Sequence, residues 1–111
     1  MQYQQINTIT ATTHVKQTSK GGRIWLEGDK LKAAGFVAGS QYSVDVVHGN
    51  TVLLTLGGIP GHKLKRVSSC SGGDRPIIDL HNKAVLDWFP AGTELTVVFN
   101  LTTNTIEINR G

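Results

Sequence analysis

Two stretches of the chain carry apolar side chains at every second position, with one further valine in each, Val47 and Val98. Over residues 41–47 the apolar side chains are Tyr42, Val44 and Val46, and over 94–99 they are Leu95, Val97 and Phe99. A period of two is that of a half-buried strand. Each stretch runs into a turn signal, His48-Gly49-Asn50 or residues 101–104, and then into a second strand-like run, 51–56 or 105–109. The pattern therefore predicts two hairpins. Upstream of each lies a short apolar strand, Arg23-Ile24-Trp25-Leu26 or Ile77-Ile78. A segment with helical spacing follows, 28–34 with Leu31 and Ala34 on one side, or 82–88. Gly35 stands where a left-handed helix cap is expected. Phe36-Val37-Ala38-Gly39-Ser40 and Pro90-Ala91-Gly92 turn the chain into its hairpins.

The order of features is thus repeated. Sliding the chain by 53 places lays Phe36 on Phe89, Ala38-Gly39 on Ala91-Gly92, and Tyr42, Val44 and Val46 on Leu95, Val97 and Phe99. Before that block an offset of 52 pairs Val15 with Val67, Ser19 with Ser71, Gly21 with Gly73 and Arg23 with Arg75, which places a one-residue insertion near Pro76. After it an offset of 54 pairs Val52 and Leu54 with Ile106 and Ile108. The expected division is a tail over 1–8, one repeat over 9–56, a connector over 57–61 and a second repeat over 62–111. Gly-Gly and Pro-Gly pairs mark the connector as a turn. A lone hairpin of this size cannot bury its own apolar face, so the two repeats are expected to share one core.

Composition narrows the class without naming a function. At 111 residues, 39% hydrophobic and 17% charged, the chain has room for one domain with a real core and is no collagen, coiled coil or disordered tail. Its single cysteine, Cys70, forbids an internal disulfide and makes a reducing cytoplasm the expected compartment. No apolar run is long enough to cross a bilayer as a helix, and the first residues lack the pattern of a secretion signal. The net charge of +3 is unevenly spread. Residues 1–66 carry eight Lys and Arg against three Asp and Glu, whereas 67–111 carry three against five.

The string Gly22-Arg23-Ile24-Trp25-Leu26-Glu27-Gly28-Asp29-Lys30-Leu31-Lys32-Ala33-Ala34-Gly35-Phe36-Val37-Ala38-Gly39, with Tyr42-Ser43-Val44 and Thr51-Val52-Leu53-Leu54 after it, resembles the SymE toxin family. Through that family it resembles the wider AbrB/MazE/SpoVT superfamily, in which two copies exchange hairpins. About 34 residues of the first repeat carry the likeness, and the second repeat shares it only by way of the repeat. The resemblance implies a mainly β, pseudo-dimeric, swapped-hairpin (AbrB-like) β-barrel with two short helices, both copies in one polypeptide, and hence a monomer. Two departures stand against a symmetric DNA-binding mode: Glu27-Gly28 replaces the proline that opens the helix in typical members, and the second repeat has Asp87-Trp88-Phe89-Pro90 and is acidic.

The superfamily presents basic residues from its first strand and the following loop to duplex DNA. The matching positions are Lys16, Lys20 and Arg23 in the first repeat and Arg66 and Arg75 in the second, joined by Lys63 and Lys65. Such side chains neutralise phosphate, and arginine can also fork onto guanine. The glycines beside Lys20 and at Gly72-Gly73 would let backbone N–H groups approach phosphate. The same lysines also suit a strand edge that must resist pairing. Trp25, Trp88, Phe36 and Phe89 sit at periodic apolar positions and are expected in the core, not on bases.

Other chemistry is poorly supported. His14, His48, His62 and His81 lack ligand spacing for zinc, and no cofactor is expected. Cys70 lies in a Gly/Ser loop without a neighbouring base. Asp45, Asp79, Asp87 and Glu94 are dispersed, Asp79 has no equivalent in the first repeat, and its neighbour His81 is expected at the surface rather than in a catalytic pair. The expected function is nucleic-acid binding of toxin-antitoxin or regulatory type, with duplex DNA ahead of RNA. The alternative is a protein-binding inhibitor or interaction module of a mobile element, using the acidic residues Asp74, Asp79, Asp87, Glu94 and Glu107. A SymE-type nuclease comes third.

Overall fold

A computed structural model describes residues 7–19, 21–47, 50–69, 73–81, 83–87 and 89–110. Among the described residues ten strands and two short helices follow one another: β1 (Thr8–His14), β2 (Lys16–Thr18), β3 (Gly21–Glu27), α1 (Asp29–Ala33), β4 (Gln41–Val47), β5 (Thr51–Leu56), β6 (Leu64–Arg66), β7 (Ser68–Ser69), β8 (Pro76–Leu80), α2 (Lys83–Leu86), β9 (Glu94–Asn100) and β10 (Thr105–Arg110). All strand pairings are antiparallel. The two alternating stretches are the hairpins β4–β5 and β9–β10.

The strands form two sheets, one in the order β1-β9-β10-β5-β4-β6 and one in the order β2-β3-β8-β7. Both orders read the same from either end once the halves are interchanged. β1 lies on β9, and β6 lies on β4, so the leading strand of each half pairs with the hairpin of the other. The expected closed barrel is not formed: each sheet is open, with β1 and β6 or β2 and β7 at its edges. The reason lies at Val15 and Val67, where the chain passes from one sheet to the other. Val15 N–H donates to Thr93 and its carbonyl accepts from Gly92, at 2.9 and 2.8 Å, and Val67 does the same with Ser40 and Gly39. Both valines are 1% exposed, so their backbone bonds serve the turns before β9 and β4 instead of continuing a ladder.

One core draws on both sheets. Leu95, Val97, Phe99, Ile106, Ile108, Val52, Leu54 and Tyr42 come from the large sheet, and Ile24, Leu26, Ile78 and Leu80 from the small one. Phe36 and Phe89, both wholly buried, fill it from equivalent turns. Full burial of a side chain this size stabilises by about 1.5–3 kcal/mol. Trp25 departs from the expected core position: it is half-buried on the opposite face of β3 from Ile24 and Leu26. Trp88 falls outside the described residues.

Register also moves the one-residue insertion. Ile24 faces Leu80, Leu26 faces Ile78, and Gly28 N–H donates to the Pro76 carbonyl at 3.1 Å. An offset of 52 therefore holds from Val15 through Leu80 and superposes buried on buried positions along β3 and β8. The insertion falls between β8 and α2 rather than near Pro76. Glu27 then matches Asp79, which does have an equivalent in the first repeat.

Candidate nucleic-acid interface

The exposed face of the small sheet carries the charged side chains that alternate with its core residues. On β3 these are Arg23 and Glu27, with Trp25 between them, and on β8 Asp79, with Arg75 just before the strand. Trp25 stands directly across from Asp79. Arg23 reaches diagonally to Asp79, its Nε 3.0 Å from the carboxylate, while its guanidinium lies over the Trp25 ring at 5.3 Å. Those two atoms are shut off from water and meet as an ion pair without an aligned hydrogen bond. At the equivalent place Arg75 Nε donates to Glu27 at 3.3 Å. Such part-exposed pairs contribute about 0–1 kcal/mol each, and the ring contact about as much again. Their larger effect is on geometry: with Nε drawn to a carboxylate, the Arg23 guanidinium is laid over Trp25 and that of Arg75 against Gly28.

Of the seven basic residues singled out by sequence, only part converge. Lys16, exposed on β2, stands directly opposite Arg23, and Arg75 lies on the same sheet toward the far end of β3. Lys20 lies outside the described residues, as do Cys70, Ser71 and Gly72. Lys63 is exposed just before β6. Lys65 and Arg66 are neighbours on β6 of the large sheet and therefore point to opposite faces, Lys65 half-buried across from Tyr42 and Arg66 exposed across from Gln41. The six that are described do not form one patch.

A cleft of about 420 Å³ opens beside Arg23, lined by Thr18, Ser19, Gly22 and His81. It is the concave part of this face. Asp79 engages Arg23 and not its neighbour His81. Asp79 and Glu27 were the members of the site that sequence missed, although the offset of 52 that pairs Arg23 with Arg75 also pairs their carboxylates. A second cleft, about 470 Å³, lies over β1 and β9 and is lined by His14 and Glu94 but by none of the described basic residues. Among the described residues no three His, Cys, Asp or Glu side chains cluster to hold a metal, and no helix is long and apolar enough to cross a membrane. The chain matches no family model, no curated protein and no solved structure.

Proposed function

We propose that this chain is a small nucleic-acid-binding protein of the AbrB-like swapped-hairpin kind, docking duplex DNA against the exposed face of its four-stranded sheet. The observation that carries the reading is the pair of equivalent arginines, Arg23 and Arg75, each fixed by a carboxylate across the β3–β8 seam. Exchange of leading strands between the halves supports the kinship. The two ion pairs cancel in charge, so the excess positive charge comes from Lys16 beside Arg23. Its counterpart at the other end, at the offset of 52, is Ser68. Docking is therefore lopsided, stronger at the Lys16–Arg23 end, and suits an asymmetric site rather than a palindrome.

Fluorescence anisotropy of a labelled duplex, titrated from about 50 to 200 mM salt, tests this. Affinity should fall steeply with salt, and Lys16→Gln should reduce the log–log slope by about one, since each phosphate contact contributes about 0.9. Arg23→Glu with Arg75→Glu should abolish binding. No binding at low salt, or an unchanged slope for Lys16→Gln, would remove the proposed face. Incubation with labelled RNA, with and without magnesium, examines cleavage.

A further inference from the structure

The two halves differ in how far their hairpins are covered at the edge. β9 is paired along its whole length by the seven residues of β1. β4 is paired on that side only at Gln41, Tyr42 and Ser43, by the three residues of β6. The residues that would extend β6 backwards, 60–63, lie in the loop between β5 and β6, which is tied down where Ile59 N–H donates to the buried Ser43 hydroxyl at 3.2 Å. From Val44 to Val47, β4 has no strand on its outer side among the described residues. Its backbone direction follows from two bonds. The carbonyls of Gln41 and Val47 accept from Gly57 and Asn50 on the β5 side, so by alternation Val44 and Val46 turn their N–H and C=O groups to the open side. Their side chains stay half-buried, whereas the counterparts Val97 and Phe99 are 1% and 3% exposed under the shelter of β1.

We propose that the Val44–Val47 edge of β4 is a docking site for an extended peptide from a partner protein, which adds as an antiparallel strand in the register that β1 takes on β9. That register specifies the occupant. Ala11, Thr10, Ile9 and Thr8 face Val97, Val98, Phe99 and Asn100, the positions equivalent to Val44, Asp45, Val46 and Val47. The guest places small or β-branched side chains across from Val44 and Val46 and a polar or basic one across from Asp45. A second copy fits worse in the register that places Val44 across from Val46, because it sets Asp45 against Asp45, and like charges directly opposite are destabilising. Main-chain bonds supply affinity and the alternating side chains supply selectivity. This edge belongs to the large sheet and is independent of the nucleic-acid face.

The test uses the full chain and a synthetic peptide with the sequence of residues 7–14, Asn-Thr-Ile-Thr-Ala-Thr-Thr-His. Amide exchange followed by NMR should show saturable protection of Val44 and Val46 and no change at Asp45 and Val47, whose N–H groups face β5. The T10K version of the peptide should bind about 1.5- to 5-fold more tightly, and Asp45→Lys in the protein should reverse that preference. Val46→Pro, which removes an edge donor where proline is tolerated, should abolish binding. No protection of Val44 and Val46 at millimolar peptide would overturn the proposal. So would loss of protection at Ile9 and Ala11, which would mean that the peptide displaces β1. Protection of the same amides by raising protein concentration alone would also overturn it, naming a second copy as the occupant.

Discussion

Removing one methyl group from Ile24, in the first half, or from Ile108, in the second, should weaken the whole molecule rather than one half of it. Both side chains are 0% exposed, Ile24 across from Leu80 and Ile108 across from Val52. Ile→Val at such sites costs about 0.5–1.5 kcal/mol. With a urea m-value of about 1.5 kcal/mol per molar, the midpoint falls by about 0.3–1 M. Among the described residues, four of the eight strand pairings, β1–β9, β5–β10, β3–β8 and β4–β6, join one half to the other. Neither half therefore keeps its sheets when the other opens. Urea unfolding followed by circular dichroism should give one transition for the parent and both variants. Native-state amide exchange should show the slowest amides of β5 and β10 losing protection equally in either variant. Two separated transitions, or an Ile24→Val variant that leaves β9 and β10 at parental protection, would refute the reasoning.

Three other outcomes follow from local contacts. Burial, with Asp79 nearby adding to it, pushes the Tyr42 phenol up to about 12; a group that is neutral in the fold stabilises fully below its unfolded value near 10. Stability should therefore fall as pH rises from about 10 to 12, and Tyr42→Phe should remove that fall in urea midpoints measured at each pH. Asn104, at φ 56°, donates from Nδ2 to the Ala34 carbonyl at 2.9 Å and so ties the second hairpin tip to the end of α1. Asn104→Ala loses that bond in a left-handed position and should cost about 1–2 kcal/mol by thermal or urea unfolding, while Asn104→Gly should cost less. Asp79→Asn should change stability by no more than about 1 kcal/mol, yet tighten duplex binding in the anisotropy assay, because it frees positive charge at Arg23.

What could be read from the sequence was whatever depends on local periodicity. The hairpins, the turns at Gly39 and Gly92 and the buried phenylalanines carry their own signals, since alternation fixes which face is buried. α1 was legible from Leu31 and Gly35, and α2 spans Lys83–Leu86 of the expected segment, whose ends Asn82 and Trp88 lie outside the described residues. β1, β2, β6 and β7 were not foreseen as strands. Three of them are two or three residues long, and the alternation of β1, Thr8-Ile9-Thr10-Ala11, sits on small and polar residues whose partner is some 90 places away. Partner choice of that range is not encoded in any window. Lys63 and Lys65 were joined to Arg66 by adjacency, which a strand undoes because consecutive side chains leave it on opposite faces. Trp25 was assigned to the core by its apolar character, but parity with Ile24 and Leu26 puts it outside.

Joining two such halves in one chain cannot be symmetric, and the departures from symmetry follow from the joint. β1 runs the full length of β9, whereas β6 must first be reached from Leu56 through a loop, residues 57–63, that is tied to Ser43 and joins the sheet only at Leu64. One edge is therefore closed and its equivalent is open. The small sheet has no such constraint, because β3 and β8 meet around the Leu26–Ile78 pair, and there the equivalence persists down to the two arginine–carboxylate contacts. What differs on that sheet is sequence alone, Lys16 at one end and Ser68 at the other. A variant that closes the β4 edge should consequently leave salt-dependent DNA binding untouched, and one that removes Lys16 should leave peptide capture untouched. If either change alters both activities, the two surfaces are not separate and the division drawn between the sheets fails.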